Sequence, residues 1–303
     1  MTEEEISGVL IVNKHAGVTS HDIVGKIRRL YHTRRVGHTG TLDPMATGVL
    51  VVLIGRAAKA SEYLSADQKS YRATLRLCLT TDTEDTTGEV LSVSECIPTQ
   101  DEFYAVLPRF RGKIEQIPPM YSALKVDGQK LVDLARRGIV VERKARQIEI
   151  LSLQATPTAD AREYLLDVTC SGGTYIRTLC ADIGAALGCG GAMATLERTE
   201  TGGYSIASAH TVDELEAMTD EERATLLLPT ESLFSALPTV KLSAFFEKLC
   251  RGGCEIYLQK IGVSLPLGTR VRLYDASNRF FALGEVGEYK NGIAVKAIKT
   301  FLL

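Results

Sequence analysis

Residues 37–50 read GHTGTLDPMATGVL, a run in which Gly37, Gly40, Pro44 and Gly48 interrupt any continuous helix or strand. Glycine opens positive φ, and proline fixes φ while removing an amide donor, so the segment is a shaped loop carrying Asp43. Residues 49–54 are all apolar and four of the six are β-branched, the pattern of a buried strand that anchors the loop to a core. An ordinary Asp-Pro turn accounts for Asp43 and Pro44. It leaves His38, Thr39, Thr41 and Thr47 without a role, which makes the loop a candidate site as well as a turn.

The chain has 303 residues, 45% hydrophobic and 24% charged, as expected of a soluble globular protein with one large core or two domains. No apolar run reaches the roughly 18–20 residues of a membrane span. The acidic start MTEEEIS is unlike a secretory or transit leader, so no membrane association and a cytoplasmic location are expected. Seven cysteines form no CxxC pair, and no histidine stands near Cys250 and Cys254, which favours reduced thiols over disulfides or a metal site. The net charge of −2 hides two basic runs, KIRRLYHTRR at 26–35 and RRGIVVERKAR at 136–146, each with five Lys or Arg. Each is either a solvated face or a track for a phosphate backbone.

Along the chain, residues 8–14 read as a strand, and Thr19 or Ser20 caps a helix with Ile23, Val24, Ile27 and Leu30 on one face. A short helix at 57–64 and an extended segment at 69–79, which starts near Tyr71, follow. Thr99 with Glu102 forms a capping box for a helix toward Phe110, IPPMYSALK at 117–125 is a structured loop, and 129–137 reads as helix. Strands at 148–153 and 164–170 precede a glycine turn opening a helix that carries Tyr175 and Arg177 in its first turn and ends at Gly188. Two Thr-x-x-Glu boxes, at 211–214 and 219–222, start acid-rich helices. Beyond 233–238 a helix at 243–250 and strands at 269–274, 279–287 and 292–298 suggest a small β barrel docked on the larger part. The division is therefore 1–235 and 236–303.

Together, GVLIVNK, GHTGTLDPMATGVL, TDTEDTTG, IPPMYSALKVDGQKL and SGGTYIRTLCADIGAALG resemble, in order and spacing, the bacterial TruB family of tRNA pseudouridine synthases. The likeness spans nearly the whole chain. It implies an α+β pseudouridine-synthase fold, with a central mixed, mainly antiparallel sheet flanked by helices and a small C-terminal PUA-like RNA-binding barrel. It implies isomerisation of uridine 55 in the T-arm loop of tRNA without cofactor or metal, by a chain expected to be monomeric. The residues it implies are Asp43 as nucleophile, Arg177 as its partner, and His38, Tyr71, Tyr175 and Leu196 as substrate contacts.

Those roles make chemical sense. The reaction breaks N1–C1′, turns the uracil and joins C5 to C1′, so a detached base must be held. Aspartate needs no activating base, because free carboxyl groups of this type ionise near ~3.9. Attack at C6 of the base and attack at C1′ of the ribose both fit the residues. A flipped base needs a surface to stack on within a cleft; Tyr71 offers one face, with Leu196 opposite and His38 near the vacated position. Proton removal from C5 by Tyr71 ranks below stacking, since a phenol with a pKa near ~10 is a poor base. Lys14 and Lys125 are either solvated or phosphate-facing, and Asp82 and Asp85 cap their loop or help place Tyr71. His15, Thr80-Thr81 and Val132 depart from the family pattern. A non-catalytic tRNA-binding or folding protein is the main alternative, and a glycosidase would need a second paired carboxyl group that the sequence does not display.

Overall fold

The structure is a computed structural model that describes residues 6–64 and 68–301; the acidic residues 1–5, on which the expected location partly rested, lie outside the described residues. Strand Gly8–Lys14 pairs antiparallel with Thr47–Ile54, Val9 opposite Leu53 and Asn13 opposite Val49. Side chains alternate across a strand, so a strand apolar throughout must be covered on both faces. Here Leu10, Val12, Leu50, Val52 and Ile54 enter one core, while Val9, Ile11, Val49, Val51 and Leu53 enter another.

These two strands belong to a ten-stranded sheet. Its main path runs His210–Thr211, Gly8–Lys14, Thr47–Ile54, Gly191–Thr201, Lys69–Leu77, Glu163–Cys170, Arg146–Pro157, Gly112–Gln116. Pairing is antiparallel except where His210–Thr211 meets Gly8–Lys14 and where Gly191–Thr201 meets Thr47–Ile54. The fold is thus α+β around a mixed, mainly antiparallel sheet. Helix Ser20–Leu30 starts at Thr19 in a reciprocal capping box with Asp22 and buries Ile23, Val24 and Ile27. Helix Ile176–Ala186 buries Leu179, Cys180 and Ile183 against the same core.

Local differences from the sequence reading have physical causes. The 57–64 helix is a 3₁₀ run, Gly55–Tyr63, and the 129–137 helix shrinks to Leu131–Ala135 because Gln129–Lys130 forms a hairpin with Lys125–Val126. The 69–79 strand stops at Leu77, since Cys78 takes a positive φ of 66°. His38 lies in a short strand, Val36–His38, instead of the loop proper. Strand Gly191–Thr201, which reads as no particular element in sequence, lies at the middle of the sheet. Register shifts between Met193 and Thr195 and between Arg198 and Glu200 break its alternation, and its inward row carries an arginine.

Residues beyond 238 build a second, curled sheet of five strands, Thr239–Lys241, Arg270–Tyr274, Phe280–Tyr289, Gly292–Thr300 and Ile256–Tyr257 in spatial order. The two edge strands do not pair with each other, so the sheet is a half-barrel of PUA-like kind and not a closed barrel. Phe280, Leu283 and Phe301 pack with Val9, Val49 and Val51, so this sheet covers the back of the large one. No helix among the described residues is long and apolar enough to cross a membrane.

Candidate active site

The Asp43 loop is fastened at nearly every residue. Thr39 N–H donates to the Val51 carbonyl (3.1 Å), and Gly40 N–H to His38 Nδ1 (3.3 Å). Ser20 Oγ bridges both backbone groups of Leu42, accepting from its N–H (2.9 Å) and donating to its carbonyl (3.2 Å). Ala46 N–H closes a turn onto the Asp43 carbonyl (3.0 Å), and Gly17 N–H reaches the Pro44 carbonyl (2.8 Å). At the loop's end Gly48 has φ +99°, and a Cβ there would lie 2.3 Å from the Arg198 carbonyl oxygen. Only glycine fits that backbone and that approach.

Asp43 meets Arg177, as the sequence reading expects. Nε of Arg177 lies 2.9 Å from Asp43 Oδ2, and Nη2 donates to Oδ1 at 3.2 Å, a two-point pair. The Arg177 side chain is 5% exposed and that of Asp43 33%, so the cation lies beneath and the carboxylate faces outward. Arg177 also donates to the carbonyls of Thr83 (3.0 Å) and Tyr121 (2.9 Å), tying the acid stretch and the 117–125 loop to the site. Tyr175 precedes its helix, locked by a mutual pair with Gln116: Tyr175 N–H to Oε1 (2.9 Å) and Nε2 to the Tyr175 carbonyl (3.0 Å).

Tyr71 and Leu196 share one face of the sheet. Leu196 stands opposite Ala73 and Arg198 opposite Tyr71, and directly opposed residues of an antiparallel pair point the same way. Both Tyr71 and Leu196 are 8% exposed and belong to the main core cluster. Burial pushes the Tyr71 phenol above its usual range, opposed by the Arg198 guanidinium. It likewise raises Tyr175 and lowers His38, whose imidazole also feels the Arg198 charge. Because His38 Nδ1 accepts from Gly40, the neutral ring carries its proton on Nε2.

Two charged groups at the site, Lys14 and Arg198, went misread or unassigned. Lys14 is neither solvated nor phosphate-facing: it is fully buried, and Nζ donates to the carbonyls of His15 (3.0 Å), Val18 (2.8 Å) and Pro44 (3.2 Å). Arg198 is also fully buried, giving Nε to the Val49 carbonyl (2.7 Å) and Nη2 to the Gly40 carbonyl (3.0 Å). Two-residue spacing from Leu196 is the signal that places it on the same face. Asp85 does cap its own loop, accepting from Thr83 Oγ1 (2.9 Å), Thr87 N–H (3.0 Å) and Thr87 Oγ1 (2.6 Å), but its other oxygen lies 3.9 Å from Arg177 Nε. Lys125 is exposed. Among the described residues no three His, Cys, Asp or Glu are gathered as a metal ion would require.

Arg34 and Arg35 of the first basic run, with Arg56 and Lys59, line a concavity of about 560 Å³. A second, of about 480 Å³, is lined by Glu84, Asp182, Arg109 and Arg143. Neither is lined by Asp43, whose side chain is one-third exposed.

The family model described as TruB family pseudouridylate synthase (N terminal domain) matches residues 28–176, and one described as tRNA pseudouridylate synthase B C-terminal domain matches 177–235. The chain is 40% identical over 290 residues to tRNA pseudouridine synthase B of Burkholderia mallei (strain NCTC 10247), covering 95% of this chain and 96% of that one. It is 41% identical over 293 residues to the protein of the same name from Ralstonia nicotianae, covering 96% and 90%. Among solved structures, a chain of a Cbf5-Nop10-Gar1 complex superposes with a TM-score of 0.74 at 26% identity, covering 97% of this chain and 85% of that one. With relatives of this identity matched from end to end, the chain belongs to the TruB family of pseudouridylate synthases.

Proposed function

We propose that the protein isomerises uridine 55 in the T-arm loop of tRNA to pseudouridine, with Asp43 as the nucleophile. The observation that carries this is the two-point pair between Asp43 and Arg177, set in a loop held by backbone hydrogen bonds at Thr39, Gly40, Leu42, Asp43, Pro44 and Ala46. A preorganised carboxylate spends little of the substrate's binding energy on reorientation. Arg177 holds the carboxylate in place from beneath as the arriving base excludes water. The Asp43 side chain is half-buried and reachable from outside, so the flipped uracil covers the carboxylate while Tyr71 and Leu196 present the apolar floor. His38 offers Nε2–H toward the RNA, and Tyr175 lines the opposite side. The relatives' name, tRNA pseudouridine synthase B, supports tRNA as substrate. Arg34, Arg35 and the 136–146 run supply phosphate contacts that fix register, and residues 236–303 act as the RNA-binding extension.

Pseudouridine mapping of an unmodified tRNA transcript after incubation with the protein tests this. One converted uridine, at position 55, is expected. Tight binding without conversion would favour a non-catalytic tRNA-binding protein, and conversion elsewhere would overturn the site assignment.

A further inference from the structure

All seven cysteines are free thiols, and three of them, Cys78, Cys96 and Cys189, gather where strand Lys69–Leu77 ends. Leu77 stands opposite Gly191, and the pairing runs one residue further, with Cys78 N–H donating to the Gly190 carbonyl (3.0 Å). Cys189 Sγ approaches that same carbonyl at 3.3 Å and the Gly184 carbonyl at 3.9 Å. The Cys78 and Cys189 thiols are hydrogen-bonded to each other. Cys78 Sγ also donates to the Cys96 carbonyl (3.4 Å), and the Cys78 carbonyl accepts from Ser94 N–H (3.0 Å). Cys78 and Cys189 are only 2% and 6% exposed, whereas Cys96 is open to solvent.

The frame beneath this pair is stiff. Gly190 N–H donates to the Gly184 carbonyl (3.0 Å), and a Cβ on Gly184 would lie 2.2 Å from the Gly190 carbonyl carbon, so the turn after helix Ile176–Ala186 is pressed onto the helix itself. Cys78, at φ 66°, turns the chain out of its strand into the hairpin formed by Leu79–Thr81 and Val90–Val93. A disulfide needs closely apposed backbones, and here the residue after Cys189 is bonded directly to Cys78. Burial and the neighbouring Cys189 thiol hold Cys78 above its usual range, which keeps it protonated and slow toward oxidants in solution. Reaction therefore starts at the exposed thiol.

We propose that Cys78 and Cys189 are a redox modification site: a hydroperoxide reacting at Cys96 leads to a reversible Cys78–Cys189 disulfide, which fastens the end of the Arg177 helix to the strand that carries Tyr71. In the first step the Cys96 thiol takes one oxygen from the hydroperoxide and becomes a sulfenic acid, with water released when the oxidant is hydrogen peroxide. Cys78 sulfur then attacks Cys96 sulfur. The S–S bond forms, the S–O bond breaks, and the hydroxyl leaves with the Cys78 proton as water. Cys189 attacks Cys78 sulfur in turn, and Cys96 departs with the Cys189 proton as a thiol. Two thiols are oxidised and one peroxide is reduced. The bond closes residues 78–189 into a ring, which restricts the unfolded chain and raises stability. It lies seven residues along the chain from Tyr71, about 20 Å at ~3.3 Å per residue, so the Asp43 loop keeps its geometry.

Full-length protein treated with about one equivalent of hydrogen peroxide, then alkylated and mapped by mass spectrometry, is expected to give the Cys78–Cys189 cross-link, and dithiothreitol should reverse it. The oxidised protein should melt about 5 °C or more above the reduced one. Its rate on tRNA should stay within about threefold of the reduced protein's. Cys96→Ser should slow cross-linking about tenfold or more, and Cys189→Ser should stop at a Cys78–Cys96 bond.

Recovery of Cys78 and Cys189 as thiols, a Cys78–Cys96 bond as the wild-type end product, or sulfinic acid at Cys189 would each overturn the proposal, whether or not the serine variants fold. An unchanged melting temperature would do the same. Cross-linking that is equally fast without the Cys96 thiol would refute the relay. A larger loss of activity on oxidation would contradict a latch remote from Asp43.

Discussion

Lys14 shows how much a single buried cation can do for a loop thirty residues away. Its ammonium ties the end of strand Gly8–Lys14 to the carbonyl that follows Asp43, and burial lowers it from 10.5 to about 8 despite the opposing pull of Asp43. Between those two values the unfolded chain holds a proton that the folded chain has released. Stability therefore rises with pH across that window, and below about pH 8 the fold bears the full cost of the charge. Urea unfolding at about pH 7.5 and about pH 10 should show this rise in the wild type and not in Lys14→Met. An equal rise in both would contradict the assignment. Asp43 was legible because it sits amid turn-formers with little other purpose, whereas Arg177 was placed only in a helix's first turn and became its partner through the family resemblance. Lys14 and Arg198 were not, because a lone lysine or arginine is solvated by default, and only the surrounding carbonyls in three dimensions reveal the exception.

At the scale of elements, the site depends on one crossing, where strand Gly191–Thr201 runs beside the start of Thr47–Ile54. The contact is so close that Gly48 cannot carry a side chain. Gly48→Ala is expected to cost at least about 2 kcal/mol and to lower turnover by shifting the loop. Urea midpoints together with single-turnover rates check this, and a variant of wild-type stability would show that the crossing is slacker than described. Elements with one clean signal were readable in sequence: the apolar runs at 8–14 and 49–54, a cap at Thr19 or Ser20, the capping boxes at Thr99, Thr211 and Thr219, and the glycine at 188 that ends its helix. The 191–201 strand was not, since its helix-favouring Ala, Met, Leu and Glu residues are overridden by pairing on both sides.

For the whole molecule, the large sheet cannot be considered without the small one. Val9, Ile11, Val49, Val51 and Leu53 form a face covered by Phe234, Phe280, Leu283 and Phe301, and Lys59, Arg56 and Tyr63 donate to carbonyls at 298–301. A change of composition at 233–238 was visible in the sequence, but the shared core was not, because nothing in an apolar strand says which element covers its second face. Thermal unfolding of the full chain should show one cooperative transition, and a chain ending at Pro238 should lose stability with its apolar back exposed. Two separate transitions, with the shortened chain keeping the upper one, would contradict this packing. All of this scaffold converges on one half-buried carboxylate. The most direct test is pseudouridine formation by Asp43→Asn under single-turnover conditions, with tRNA binding measured in parallel. Product formation below about one-thousandth of the wild-type rate, with affinity within about threefold, is expected. An asparagine variant that modifies tRNA at the wild-type rate would contradict the assignment of the nucleophile.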